Sequence, residues 1–462
     1  MADSLEALTG IVYLGRGKLG TEWTVCAYFA LLVLAGTALL TQPFCNARGE
    51  ATPVLTAVFT AASAACVTGL TVVDTGTFFS PAGQWVILAL IQAGGLGIMT
   101  MGTFFVALLG GRLSVKDEFV LMDSLGHDSP IGLRGVLLYA LTMTAAFEAA
   151  GALWLAVHFR GAYGFEWRDA VFAGVFHSVS AFCNAGFSTF SGSLAMFRTD
   201  RAVLLAMAVL NVSGGLGFMV LHNVRACITG RRDPARPVRL TLHSRLAIEM
   251  MFCLMVLGAG LFLMLEWNGA LGDLDWPDKA MNALFMAITP RTAGFSLGPL
   301  AAMSPLSVYL LVLLMFIGGS PASTAGGIKT TTVVVLGAAT RALLRGDLQT
   351  VCKERGISEL SVRKALAVFL TTLALIALFY GVILACDGAN AGPGELLFET
   401  VSAFGTVGLS MNVTPGLSVF GRMAIVAAMF TGRLLALMIS LRVGGQEVRN
   451  AVQYPEEDVI VG

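Results

Sequence analysis

The chain has 462 residues, enough for two or three soluble domains, yet 56% are hydrophobic and only 13% charged, where a soluble domain carries about 25% charged residues. Its 29 basic residues balance 29 acidic ones, which excludes a basic nucleic-acid surface, and its eight cysteines lie far apart without metal-ligand spacing, which excludes a disulfide framework and a zinc site. With a mean hydropathy of +0.79, the sequence reads as an all-α polytopic membrane protein.

In chain order, residues 1–20 mix acids, bases and glycines without a compact apolar core, so they read as a cytoplasmic segment and not as a cleavable signal peptide. A helix needs about 20 apolar residues to cross a bilayer. Eight segments qualify, near 23–42, 83–109, 136–158, 202–224, 246–265, 304–337, 365–385 and 419–441. Four semi-polar pieces at 53–67, 169–184, 277–290 and 394–406 are too short to span, and each runs into a glycine. The order long–short–long recurs four times, giving repeats at 21–111, 130–228, 243–340 and 362–445, then a cytoplasmic tail at 446–462.

Basic residues set the orientation. The connections 109–135, 222–246 and 338–364 carry 3, 6 and 6 Lys or Arg, and with Arg16, Lys18, Arg442 and Arg449 they place 19 of the 29 on one side. Eight, Arg291 among them, fall on the other. The connections and both termini are therefore expected in the cytoplasm, with the short pieces entering and leaving from outside.

Two marks recur in phase. Each short piece holds a Phe, a Ser or Thr four residues later, and then a glycine: Phe59/Ser63/Gly69, Phe176/Ser180/Gly186, Phe285/Thr289/Gly294 and Phe398/Ser402/Gly408. These glycines are 117, 108 and 114 residues apart. The following long segment carries Gly94-Gly95, Gly214-Gly215, Gly318-Gly319 and, in the fourth repeat, Gly432-Arg433.

Irregular backbone at membrane depth is tolerated only inside the protein or along a watery path. Four glycine-centred strands about one axis would present rings of carbonyls, the construction that replaces the hydration shell of K+ in a selectivity filter. The candidates are Val67-Thr68-Gly69-Leu70, Asn184-Ala185-Gly186-Phe187, Thr292-Ala293-Gly294-Phe295 and Thr406-Val407-Gly408-Leu409. Glycine permits the positive φ that turns successive carbonyls one way, and the half-helices would aim their carbonyl ends at a cation.

The sixth long segment is interrupted by twelve residues, 318–329, containing four glycines, a proline and three hydroxyl residues. Such a stretch cannot be a regular helix in lipid; it is expected within the protein, below the strands, as a gate. It is no phosphate-binding loop, because Ile328 separates Gly327 from Lys329. Arg433 stands where the other repeats have a second glycine. An arginine at mid-membrane must face the interior, where it could bond the loop's carbonyls and hold it shut.

Gly318-Gly319-Ser320-Pro321-Ala322-Ser323-Thr324-Ala325-Gly326-Gly327-Ile328-Lys329-Thr330-Thr331 resembles the broken third-unit helix that gates the pore in the Trk/Ktr/HKT superfamily of potassium transporters. The likeness extends over about residues 20–445. A single segment before the first short piece makes the chain more similar to the Ktr-type pore subunit than to the Trk type. The resemblance implies four M1–P–M2 units around a pseudo-fourfold central pore, with 318–330 as the intramembrane gating loop. It implies K+ as the transported ion, Na+ as a candidate activator, and neither cofactor nor enzymatic activity in this chain. It also implies a homodimer in the lipid of the bacterial inner membrane, on a cytosolic ring of nucleotide-binding, RCK-type subunits of the KtrA-like kind. None of the strands carries the Thr-Val-Gly-Tyr-Gly of a potassium channel, so selectivity over Na+ stays open.

Glu148, in the first helix of the second repeat, reads as a pin between helices or a coupling-ion ligand. Glu399 reads as packing or as negative potential near the strands, and His177 as a satisfied histidine. The competing function is a secondary transporter for another small solute built on broken helices, which predicts inverted repeats; here the units all run the same way.

Overall fold

The structure, a computed structural model, describes residues 21–108, 133–230 and 239–444. The segments 1–20 and 446–462 lie outside the described residues, as do Arg112, Lys116, Arg231, Arg232 and Arg236 of the basic connections. The fold is helical throughout apart from one small ribbon.

The first quarter comprises α1 (Thr21–Leu40), the half-helix α2 (Val54–Ala65) and α3 (Pro81–Leu108). The second has α4 (Leu133–Tyr163), the half-helix α5 (Trp167–Phe182), and α6 (Arg201–Leu216) followed by α7 (Phe218–Gly230). The third has α8 (Leu242–Glu266), the half-helix α9 (Trp276–Ile288), α10 (Pro305–Phe316) and α11 (Thr330–Arg345). The fourth has α12 (Glu359–Asp387), the half-helix α13 (Pro393–Phe404) and α14 (Val419–Gly444).

Local chemistry fixes the starts of these helices. Asp200 accepts from the Ala202 and Val203 N–H groups at the head of α6. Thr241, Ser304 and Ser358 cap α8, α10 and α12 in the same way, and prolines open α9, α10 and α13. Among the described residues five helices are long and apolar enough to cross a membrane, or six if α6 and α7 count as one broken span. Their outward faces carry exposed Leu31, Leu34, Leu153, Phe252, Leu370 and Phe420, while Ser, Thr and Asn side chains are buried. That inversion of the soluble pattern is the signature of an integral membrane protein, whose outer surface meets lipid.

Three apolar clusters close the quarters on one another. One joins α2 and α3 to α5 through Ala61, Ile91 and Phe176. A second runs from α6 through α9 to α13, with Met207, Phe285 and Phe398. The third returns from α14 to α2 through Met429, Ile425 and Phe59. The recurring Phe59, Phe176, Phe285 and Phe398 are fully buried, so the first part of the repeated mark is a packing anchor under each half-helix.

Two expectations need correction, and the all-α fold gains one small ribbon. The continuous span read at 202–224 is broken: Gly217 takes φ 82° and the chain bends by 101° between α6 and α7. The loop between α10 and α11 packs at this point, with the Ala322 carbonyl and Ser323 nitrogen where a Gly217 Cβ would sit. Arg291, assigned to the outer face, is 4% exposed and donates to the Met251 carbonyl of α8. The connection after α11 holds an antiparallel ribbon, β1 (Val351–Cys352) with β2 (Arg355–Gly356), which the all-helical reading did not contain.

Candidate functional site: four strands and the loop beneath them

Three of the half-helices stop one residue short, and α9 three residues short, of a strand whose backbone alternates in handedness. Val67, Asn184, Thr292 and Thr406 take φ of 56°, 57°, 70° and 50°, and Gly69, Gly186, Gly294 and Gly408 take 92°, 69°, 76° and 93°. The residues between them, Thr68, Ala185, Ala293 and Val407, do not share this positive φ. In an ordinary strand successive carbonyls point in opposite directions; alternating the sign of φ aims them to one side and the N–H groups to the other.

The N–H side faces the half-helix. Thr68, Ala185 and Val407 donate to the carbonyls of Ser63, Ser180 and Ser402 at 2.8, 2.7 and 2.8 Å, and Ala293 to that of Thr289 at 3.0 Å. The hydroxyls of the same four residues tie down the far end of the strand. Ser180, Thr289 and Ser402 donate to the carbonyls of Phe187, Phe295 and Leu409 at 2.7, 2.6 and 2.6 Å, and Ser63 accepts from the Gly69 N–H at 3.1 Å. The fourth candidate position of the strands is thus largely an anchor: the carbonyls of Phe187, Phe295 and Leu409 are held on the half-helix side, and the side chains of Leu70, Phe187, Phe295 and Leu409 are buried.

The four glycines meet. A Cβ on Gly69 would strike the Ala185 carbonyl, one on Gly186 the Ala293 carbonyl and the Gly294 Cα, one on Gly294 the Val407 carbonyl, and one on Gly408 the Thr68 carbonyl and the Gly69 Cα. The order runs first, second, third, fourth and back to first. The carbonyls of Thr68, Ala185, Ala293 and Val407 therefore lie in a closed ring. Above it opens a cavity of about 280 Å³ lined by all four glycines and by Asp74, Ser188, Ser296 and Ser410.

The paired glycines of the second mark have a related cause. Gly94, Gly214 and Gly432 each sit directly against the last carbonyl of a half-helix, those of Ala65, Phe182 and Phe404. Gly318 differs, packing instead on the Gly326 carbonyl within the loop.

Residues 318–329 cross beneath the ring, as expected of a stretch that cannot face lipid. The loop is zipped at its base by Gly318 N–H to Ile328 O at 2.9 Å and Thr330 N–H to Gly319 O at 3.1 Å. Ser320 donates through its N–H to Gly215 at 2.9 Å, and Ser323 through its hydroxyl to Ser320 at 2.6 Å. Pro321 and Ala322 form the turn, Ala322 at φ 55°. At the tip, the Thr324 hydroxyl is 3.0 Å from the Asn184 amide and 3.1 Å from the Phe182 carbonyl. Gly326 lies against Thr406, so closely that a Cβ would not fit, and Gly327 takes φ 64°.

Two cations hold this loop. Arg433 is 3% exposed and donates to the Thr324 carbonyl at 2.5 Å and, at a longer 3.4 Å, to that of Gly94; its Nε has no partner among the described residues. Lys329 donates to the Ala325 carbonyl at 2.7 Å. Thr324 thus touches groups from the second and fourth quarters, while its own chain belongs to the third.

The remaining candidates make bracing contacts. Glu148 accepts from Gln92 of α3 at 3.0 Å and lies 3.7 Å from the Cys183 thiol at the end of α5, which pins three helices. Glu399 accepts from Ser410, Met411 and Thr414 at 2.6, 3.0 and 2.7 Å, holding the segment above the fourth strand. His177 is satisfied by the Ala173 carbonyl at 2.8 Å and the Ser188 hydroxyl at 2.9 Å. Sequence reading missed the buried hydroxyls of Thr68, Thr292 and Thr406, which have no partner among the described residues. It also missed the depth of Arg291, beside Thr292.

A family model, TrkH, described as a cation transport protein, matches residues 24–444. The chain belongs to the TrkH family of cation transport proteins. Within this family it is 37% identical to Ktr system potassium uptake protein B of Bacillus subtilis, over 94% of this chain and 95% of that protein. It is 35% identical to potassium/sodium uptake protein NtpJ of Enterococcus hirae, over 97% and 98%. The crystal structure of the potassium transporter TrkH from Vibrio parahaemolyticus superposes with a TM-score of 0.69 at 19% identity, covering 92% of this chain and 85% of that one. The resemblance read from residues 318–331 is borne out at the level of the family.

Proposed function

We propose that the chain takes up K+ through the ring of strand carbonyls, gated by the loop 318–330. The observation that carries this reading is the closed cycle of Gly69, Gly186, Gly294 and Gly408 with the carbonyls of Thr68, Ala185, Ala293 and Val407. Carbonyl oxygens so aimed replace the water around a monovalent cation. The half-helices α2, α5, α9 and α13 bring their negative ends beneath it, and the orphaned hydroxyls of Thr292 and Thr406 add neutral oxygens at its lower edge. The curated relatives named for potassium and for potassium/sodium uptake support the same substrate class.

Gating follows from the same geometry. With Thr324 under the ring and Arg433 on its carbonyl, the path is blocked by chain and by charge, since a guanidinium there repels an arriving cation. Opening requires only that the loop leave these bonds. On this reading K+ moves down its electrochemical gradient, with Na+ as a candidate activator.

The assembly we infer is a homodimer in the bacterial inner membrane, with both termini cytoplasmic, as the pore subunit of a multi-component system. The Ktr system names of the relatives support regulation by separate subunits, for which a cytosolic nucleotide-binding ring is the natural form. Isotope flux into liposomes holding the purified chain tests the central reading. K+ and Rb+ should enter with membrane potential as the sole driving force. Flux that needs a co-transported organic solute, or none for either ion, would sink it.

A further inference from the structure

At the end of α8 remote from the cavity above the ring, a second cavity of about 790 Å³ lies between α7, α8 and the β1–β2 ribbon, within the ~300–1,000 Å³ of small-ligand sites. Its wall has two chemistries. One side is apolar, formed by Val224, Ile228, Leu240 and Ile248, and it continues onto the outer surface, where Ile228 is 65% and Leu240 42% exposed. The other side carries Arg239, Arg245, Lys353 and Arg355 against only Glu249 and Glu354.

Glu249 is occupied: it pairs with Arg245 at 2.9 Å and with Lys353 at 3.0 Å. Among the described residues neither Arg239 nor Arg355 pairs with a carboxylate. A second observation concerns the turn that delivers Lys353. Lys353 and Glu354 occupy the left-handed region at φ 50° and 63°, where a two-residue hairpin turn ordinarily has Asn-Gly. The turn brings Lys353 onto Glu249.

We propose that this pocket binds the headgroup of an anionic phospholipid. Its phosphate would sit between Arg239 and Arg355, and an acyl chain would follow Ile228 and Leu240 out to the bilayer. α7 and α8 belong to membrane-crossing quarters, so their shared end lies at headgroup depth, where basic pockets between helices select anionic lipid. A soluble anion would use the arginines and leave the apolar half of the pocket wet; a lipid satisfies both. Because the ribbon directly follows α11, the helix leading out of the loop 318–329, the bound lipid would also steady the cytoplasmic end of the gate.

The test uses the full chain, delipidated in detergent and titrated with phosphatidylglycerol or phosphatidylcholine, with retained lipid counted by native mass spectrometry. Wild type should retain phosphatidylglycerol and not phosphatidylcholine. The Arg239→Gln/Arg355→Gln variant should bind it on the order of tenfold more weakly, while Arg48→Gln/Arg168→Gln on the opposite face should match wild type. As a check independent of any variant, phosphatidylglycerol in nanodiscs should raise the thermal midpoint of the wild-type chain. Equal retention by the Arg239/Arg355 variant would overturn the proposal. So would binding of inorganic phosphate as tightly as lipid, which would mark a soluble-anion site, or loss of a co-purifying protein with lipid retention unchanged, which would mark a protein-docking site.

Discussion

Holding Val67, Thr292 and Thr406 in the left-handed region costs about 1–3 kcal/mol each, since a branched Cβ crowds the neighbouring carbonyl there. The strands accept it because each is tied at both ends by one residue, Ser63, Ser180, Thr289 or Ser402, through its carbonyl at the near end and its hydroxyl at the far end, and because the Phe four residues before it locks the half-helix. The glycines carry a second constraint, as a methyl group would collide with the next strand's backbone. Gly408→Ala should therefore abolish Rb+ flux in liposomes, whereas Gly416→Ala, with open space around the added carbon, should leave it at wild-type level. Normal flux through Gly408→Ala would remove that glycine from the conducting ring. The glycines were legible in the sequence because only their residue type suits the position. The four other left-handed residues were not: of these, Asn184 alone belongs to a type that tolerates the region, and what holds Val67, Thr292 and Thr406 there is tertiary bonding that no local propensity reports. The depth of Arg291 was hidden for the same reason, as position along the chain gives its side of the membrane but not its burial.

At the scale of elements, one α-helix has become two on both occasions where the chain passes the loop. The break between α10 and α11 is written in composition, with proline and clustered glycines. The break at Gly217 is not: residues 202–224 carry no charged residue or proline, and glycines are ordinary in a membrane helix. Its cause lies about a hundred residues downstream, in the loop tip that packs on Gly217, and a pattern within one segment cannot disclose it. Of the bonds that hold the loop, those from Arg433 and Lys329 are charge-assisted and the strongest. Removing one such bond loses about 1.5–3 kcal/mol, so Arg433→Ala should raise K+ flux roughly tenfold or more at saturating ion. Deleting 320–326 should do the same. If both variants conduct at the wild-type rate, the loop is not the gate. If Arg433→Ala falls while the deletion rises, the arginine serves the pore and not its closure.

For the whole molecule, the repeat periodicity was legible because four copies must reuse one solution to the same packing problem, and the family assignment was legible because the loop motif is long. The cyclic order of the copies was not, as sequence gives phase along the chain but no angle about an axis. Orientation rests on the asymmetry of basic residues and is open to a direct check. In right-side-out vesicles a membrane-impermeant maleimide should label Cys386, exposed at the end of α12, and spare Cys352 of the ribbon until the vesicles are opened. The reverse pattern would invert the topology.

The ring closes only where the Gly408 strand meets Thr68, joining the last quarter of the chain to the first. A polypeptide emerging from the ribosome cannot make that seam until nearly all of it has been synthesised and inserted. Before then the three earlier strands bound an open-sided trough with no complete coordination shell for an ion. Maturation thus ends with the same contact that creates the conduction path, and a chain truncated before the final half-helix is expected to be silent in the membrane, sparing the cell a leak during assembly.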